Sequence, residues 1–139
     1  AGITAIEPLG MFRIITPYLN RIDNIHGVEE FLYSKEISVA GQCDCIAEYK
    51  GKLSIIDFKS SSKQRDEDYN YANFLQTSAY AKMYEEIFPK YKIEQTVVLT
   101  SCADGFVQEW IHGKEKFSAH QELFYKHTKD FLDKMKINS

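Results

Sequence analysis

Apolar and polar positions follow three different rhythms along this chain, and each rhythm predicts an element. Over residues 8–22 the apolar side chains Leu9, Phe12, Ile15, Leu19 and Ile22 recur at helical spacing, with Pro17 expected to kink the helix or restart it behind Thr16. Two short β-like runs, 29–33 and 36–40, follow. Residues 42–49 and 52–60 are then separated only by Lys50-Gly51, the signal of a tight hairpin. A polar loop at 61–68 leads into a long helix at 70–88, whose apolar spacing comes from Phe74, Leu75, Ser78, Ala79, Ala81, Met83 and Ile87 and which Pro89 stops. A second strand pair, 95–100 and 106–111, spans Ala103-Asp104-Gly105, and a last helix at 118–136 opens on the capping-box pattern Ser118-x-x-Gln121. Helix, three strands, helix, two strands, helix is an α/β (α+β) order. It predicts a small mixed sheet with a central antiparallel hairpin, flanked by helices.

Composition narrows the function classes. The 139 residues suit one domain, 1–139, and 44% hydrophobic content with nine Tyr, nine Phe and one Trp is enough to fill a core. No apolar run approaches a membrane span, so no membrane partner is expected. A formal net charge of −3 excludes a protein that coats nucleic acid by bulk charge; contact with DNA would need a local patch or a bound cation. Three cysteines make a poor disulfide framework, so a reducing, intracellular and cytoplasmic setting is expected.

The hairpin carries the chemistry. With Lys50 and Gly51 in the turn, Glu48 faces Leu53, Ile46 faces Ile55, Asp44 faces Asp57 and Gln42 faces Lys59, all on one side of the sheet. Cys43, Cys45, Ala47, Ile56 and Phe58 are expected on the other side, buried under a helix. Like charges directly opposed are destabilising. Two such carboxylates either share a proton or bind a cation. Oxygen ligands favour Mg²⁺ or Mn²⁺ over zinc, and Lys59 is placed to meet a water or phosphate oxygen nearby. A purely structural ion cluster is the competing reading, and a one-residue slip would separate the acids.

The ordered set Gly41-x-x-Asp44, Asp57-Phe58-Lys59 and Gln76-x-x-x-Tyr80 resembles the PD-(D/E)XK nuclease superfamily and its restriction-endonuclease-like core. Within it, the stretch from Ile25-His26-Gly27-Val28-Glu29 to Ile55-Ile56-Asp57-Phe58-Lys59-Ser60 is similar to RecB-type exonucleases, in the branch of the mitochondrial genome maintenance exonuclease and its bacteriophage relatives. The resemblance implies that Asp44, Asp57, the backbone carbonyl of Phe58 and the upstream acid Glu29 hold the metal, Mg²⁺ or Mn²⁺. It implies that Lys59 assists catalysis and that Gln76 and Tyr80 contact DNA near the scissile phosphate. The expected function is metal-dependent exonuclease action on DNA ends, with single strands preferred; the phage relatives point to a host cytoplasm. A structure-specific endonuclease or junction resolvase is one alternative, and a non-catalytic DNA-binding subunit is the other.

The chain departs from the family in one respect. Nothing before Glu29 fits the upstream Gly-x-x-x-His-x-x-x-Glu motif; Gly2, Gly10 and Gly27 lack the spacing and His26 lies too close to the strand. A missing N-terminal helix, a second polypeptide or a homo-oligomer would supply it, or the metal shell is reduced. Directly after the catalytic strand, Ser60 and the basic loop with Lys63 and Arg65 are candidate DNA contacts. Cys43, Cys45 and Cys102 are one short of an iron–sulfur ligand set and are expected as buried thiols. His112, His120 and His127 are expected as surface or half-buried histidines.

Overall fold

The computed structural model describes residues 8–137. Its elements are α1 (Pro8–Leu19), β1 (Ile22–Ser34), β2 (Val39–Tyr49), β3 (Lys52–Ser61), α2 (Glu67–Ile87), β4 (Gln95–Cys102), β5 (Val107–Gly113) and α3 (Lys114–Ile137). The five strands form one sheet in sequence order, β1-β2-β3-β4-β5. Only β3 and β4 run parallel. The chain between them must cross over the sheet, and α2 is that crossover.

The β2–β3 hairpin keeps the register read from the sequence, Tyr49↔Lys52 through Ile46↔Ile55 to Cys45↔Ile56. Lys50 and Gly51 take φ of 52° and 81°, the double positive φ of a type I′ turn. Ile46 and Ile55 are fully buried under α2 with Ala79, Tyr80, Met83 and Tyr84. On the other side Cys45, Ala47, Tyr49, Ile56, Val97 and Leu99 pack against Ile15 of α1. The sheet is therefore covered on both faces, which is why β4 reads as an unbroken buried run. Helix α2 is fixed at its start by the N-cap Asp66, whose side chain accepts from Tyr69 N–H, and α3 packs beside it through Gln121 Nε2, which donates to the Ser78 carbonyl at 3.0 Å.

Several boundaries differ from the sequence reading. The runs at 29–33 and 36–40 are not two strands. The first belongs to the long β1, which starts at Ile22; the second spans a turn, with Ser38 at φ 53°, and the opening of β2. Ile22 thus leaves the helix and joins the sheet opposite Tyr49. Helix α2 begins three residues earlier than expected because Asp66 caps it. Helix α3 follows β5 without a loop, so Ser118 is an interior residue and Gln121 ties α3 to α2 instead of closing a capping box. Pro17 sits inside α1, which runs as one helix with no restart behind Thr16; the side chains of Leu9 and Phe12 lie outside the described part of the structure.

His112 and His120 are buried, at 6% and 7% exposure, within an aromatic group that includes Phe74 and Tyr71. Burial pushes the His112 pKa down to about 4 and that of His120 down as well, so neither is a surface histidine. His127 is exposed.

Candidate active site

The hairpin ladder ends one rung before the acids. Beyond Cys45↔Ile56, β2 and β3 make no further backbone pair, so Asp44 and Asp57 are not directly opposed across a rung, and Gln42 does not meet Lys59. The Asp44 carboxylate takes the place of the missing rung: its Oδ2 accepts from Phe58 N–H at 2.8 Å. A strand residue presents its N–H and C=O to the same neighbour. The Phe58 carbonyl therefore opens toward the same gap.

The break has a matching irregularity in β1. Val28↔Cys45 and Glu30↔Cys43 are paired, but the rung between them is absent and Glu29 stands at φ 51°. Strand phase changes there. Cys43 packs beneath α2 with Ile46 and Tyr80, not beside Cys45 on the α1 side as alternation predicts. Burial, followed by the nearby Asp44 and Asp57 charges, pushes its thiol up to about 12, so Cys43 is a neutral wall of the site.

Asp57 is 7% exposed and its Oδ2 has no hydrogen-bond partner. Lys59 Nζ lies 3.3 Å from that oxygen, within ion-pair distance but not aligned for a hydrogen bond. Burial first, then contact with Asp44, raise the Asp57 pKa and Lys59 opposes both, leaving it at about 7. Desolvation thus outweighs the ion pair, and the protein holds here a carboxyl that sheds its proton only near neutrality.

Tyr80 comes from the middle of α2 and lies against this pair. Its hydroxyl is near enough that burial first, then Cys43, Asp57 and Asp44, raise its pKa. Gly41 makes the approach feasible: a Cβ there would sit 2.7 Å from Tyr80 Oη and 2.9 Å from Cε1. Gln76, one turn earlier on the same side of α2, is exposed and lines a hollow of about 260 Å³ with Asn73, Tyr80, Val39 and Ala40. Thr100, paired with Lys59 across β3–β4, is a buried neighbour that the sequence did not single out; its Oγ1 has no hydrogen-bond partner, and a β-branched polar residue in a strand gives no signal of this kind.

The structure thus brings together Asp44, Asp57, Lys59, the Phe58 backbone and Tyr80, with Gln76 in the hollow on the other side of Tyr80. It does not bring Glu29 to them: the residue is exposed at the strand irregularity, where its carbonyl accepts from Gln42 Nε2 at 3.2 Å. Its neighbour Glu30 lines a separate groove with His26, Ile46 and Tyr84. Ser60 is exposed and, by strand alternation, faces away from Lys59. Lys63 is exposed, whereas Arg65 is half-buried and held in place by Ser61, Ser62 and Gln108. Among the described residues no cluster of three or more His, Cys, Asp or Glu side chains could hold a metal ion; the acidic core of the site is a pair.

The fold has a solved counterpart. A crystal structure named "Putative exonuclease" from Eubacterium rectale superposes with a TM-score of 0.60 over 88% of this chain and 50% of that one, at 10% identity. In sequence, mitochondrial genome maintenance exonuclease 1 of Mus musculus is 29% identical over 98 residues, and that of Homo sapiens 26% over the same length. Each alignment covers 69% of this chain but under a third of the relative, 29% and 28% respectively. The PD-(D/E)XK nuclease superfamily profile matches residues 9–134, nearly the whole chain, and so includes every element that builds the acid pair. By that match and by its fold, the chain belongs to the PD-(D/E)XK nuclease superfamily.

Proposed function

We propose that this domain is a divalent-metal-dependent deoxyribonuclease that hydrolyses phosphodiester bonds at DNA ends and takes single strands in preference to duplex. The observation that carries the reading is Asp57 Oδ2: a buried carboxylate oxygen with no hydrogen-bond donor, beside a second acid. A buried carboxylate oxygen that lacks a hydrogen-bond donor, with only the Lys59 ion pair at 3.3 Å against it, is under-solvated, and a hard cation is the simplest further partner for an all-oxygen donor set. Asp44, Asp57 and the Phe58 carbonyl would hold Mg²⁺ or Mn²⁺. Glu29 is left out of that set because it sits exposed at the β1 irregularity and joins no cluster of three acids among the described residues. When bound, such a cation supplies Lewis-acid polarisation of the phosphate and lowers the pKa of water.

The chain's own residues supply the rest. The Lys59 ammonium, already beside Asp57, offsets charge that develops on the phosphoryl oxygens. The Tyr80 hydroxyl beside the pair and the Gln76 amide one helical turn away position the strand. Lys63 on the exposed loop adds a backbone contact. An acidic protein can hold DNA in this way because the cation reverses the local field, so affinity should depend on metal more than on bulk charge. Three buried free thiols suit action inside a reducing compartment.

End-labelled single-stranded, duplex and covalently closed circular DNA test the reading, each with and without Mg²⁺ or Mn²⁺. The expected result is metal-dependent shortening of the open substrates, fastest for the single strand, with the circle intact and Asp57→Ala inactive. Cleavage of the circle would convert the assignment to an endonuclease or resolvase. No cleavage by wild-type protein, together with calorimetric binding of Mg²⁺, would favour a non-catalytic DNA-binding subunit; the limited acid count among the described residues gives that second reading its footing.

A further inference from the structure

The loop that follows the catalytic strand is more organised than a solvated basic loop needs to be. Arg65 N–H donates to Gln108 Oε1 at 2.9 Å and Gln108 Nε2 donates to the Arg65 carbonyl at 2.8 Å, so one side-chain amide grips both backbone groups of a single loop residue. The β4–β5 turn adds two ties, Ala103 N–H to the Ser61 carbonyl at 2.9 Å and Gln64 N–H to Asp104 Oδ2 at 3.3 Å. Gln108 pairs with Thr100 and Thr100 with Lys59, so the clamp stands in the same cross-sheet row as the catalytic lysine.

The clamp fixes a flat cation against an aromatic ring. The Arg65 guanidinium lies 4.6 Å from the centroid of Tyr69, while its edges are occupied by Ser61 Oγ (3.3 Å from Nε) and Ser62 Oγ (3.2 Å from Nη2). Tyr69 keeps 61% of its surface exposed. Arginine held in this way presents its plane: the side edge formed by Nε and Nη2, one of the two that could grip a phosphate with paired donors, is turned to the two serine hydroxyls. The surrounding charge agrees. Asp66, Glu67 and Asp68 crowd the first turn of α2, which disfavours a phosphate there and leaves a neutral nucleobase unopposed.

We propose that Arg65 and Tyr69 form a stacking site for one unpaired nucleobase, with Gln108 as the positioning residue that sets its place relative to the acid pair. The proposal rests on the nuclease reading and deepens it by naming a single-strand subsite. Its placement follows from element geometry. Ser61 is four residues along β3 from Asp57, about 13 Å. Tyr69, Asn73, Gln76 and Tyr80 fall on one side of α2, with Tyr69 about 16 Å from Tyr80 along the axis. The base held there would lie a few nucleotides from the bond at Asp57. Duplex DNA cannot offer such a base without unpairing, which gives strand preference a physical source.

The test is a series of short single strands with 2-aminopurine at successive positions, bound with Ca²⁺ in place of Mg²⁺ and read by fluorescence. One position should be quenched by wild-type protein. Tyr69→Ala and Arg65→Lys should both abolish that quench and weaken binding about tenfold, Tyr69→Phe should retain both, and an abasic residue at that position should erase the difference between wild type and Tyr69→Ala. Gln108→Ala should spread the quench over neighbouring positions, and Gln108→Glu, which keeps the acceptor for Arg65 N–H, should partly restore it. A quench indifferent to Tyr69, or Arg65→Lys behaving as wild type, overturns the stacking site. If wild-type protein binds and cuts DNA in that case, only this inference fails; if it neither binds nor cuts, the nuclease reading fails with it.

Discussion

The two ends of the β2–β3 hairpin are made from the same pair of strands and do opposite things. At the turn end, backbone rungs run unbroken from Tyr49↔Lys52 to Cys45↔Ile56, and Ile46 and Ile55 are wholly buried between them and α2. At the open end the rungs stop, a carboxylate replaces one of them at Phe58 N–H, and a second carboxylate has a buried oxygen with no hydrogen-bond donor, held only by its ion pair with Lys59. The first end gains stability from satisfied backbone and buried methylene; the second gives some of it up. That contrast separates scaffold from site without reference to any relative. A fold tolerates unmet polar groups where chemistry needs them, and the closed stem holds the open end in place.

The largest effect should come from the open end, and it should split activity from stability. Asp57→Asn should reduce DNA cleavage by at least about a thousandfold, yet leave the metal-free protein more resistant to heat at pH 8, because an ill-solvated charge is gone. Parallel assays of strand degradation and thermal unfolding check both halves; a variant that cuts DNA normally removes Asp57 from the mechanism. At the closed end the pattern should invert. Ile55→Ala should cost about 2–5 kcal/mol of unfolding free energy by opening a cavity under α2. Whatever protein remains folded should still cleave. Denaturant titration at neutral pH measures the first, and turnover per folded molecule the second.

Most of the closed end was legible in the sequence, and half of the open end was. Lys50-Gly51 announces a two-residue turn, and counting outward from it gives the true partners as far as Cys45↔Ile56. Counting further fails, because it assumes that the ladder continues. Nothing local in Asp44 signals that its side chain will replace a rung, or that Glu29 opposite will take a left-handed conformation; both follow from three strands meeting, not from one. The same hidden irregularity moved Cys43 to the site's wall and left Glu29 outside. By sequence Asp66 belongs to the polar loop although it is an N-cap, since the apolar rhythm of α2 becomes visible only later. Gln108 carried no signal at all: a lone glutamine in a strand gains meaning only when the β3–α2 loop passes over it.

Acidity gives a smaller and continuous handle on the same contrast. Asp57 holds its proton up to about pH 7 in the folded protein but releases it near 4 when unfolded. Between those limits the folded state binds the extra proton, so the Asp57 contribution to the unfolding free energy of the metal-free protein should fall as pH rises, while buried His112 and His120, with lowered pKa values, contribute in the opposite sense below about pH 6.5. The slope should approach 1.4 kcal/mol for each pH unit and level off above pH 7. Added Mg²⁺ should recover part of the loss at pH 8 and little at pH 5. Thermal melts of wild type and Asp57→Asn across pH 5–8, with chelator and with magnesium, isolate this contribution as the difference between the two proteins; a difference that does not change with pH in the chelated proteins would contradict a desolvated Asp57.

The smallest change in stability should come from Asp44→Asn, and it is the most discriminating. The asparagine oxygen can still accept from Phe58 N–H, so the substitute rung survives and its contribution of about 1 kcal/mol is largely kept. The charge beside Asp57 disappears, and with it one of the causes that lift the Asp57 pKa. The Asp57 midpoint, followed by carbon-13 resonance of its carboxyl, should therefore move down although the fold is unchanged. Asp44→Ala should produce the same fall in midpoint and also lose the rung, costing roughly 1–2 kcal/mol more than the asparagine variant. Equal stability of the two variants would show that the Phe58 bond contributes nothing. An Asp57 midpoint untouched by either would show that the two acids do not sense each other, and the open end of the hairpin would then be an interruption in a sheet and not a place to hold a cation.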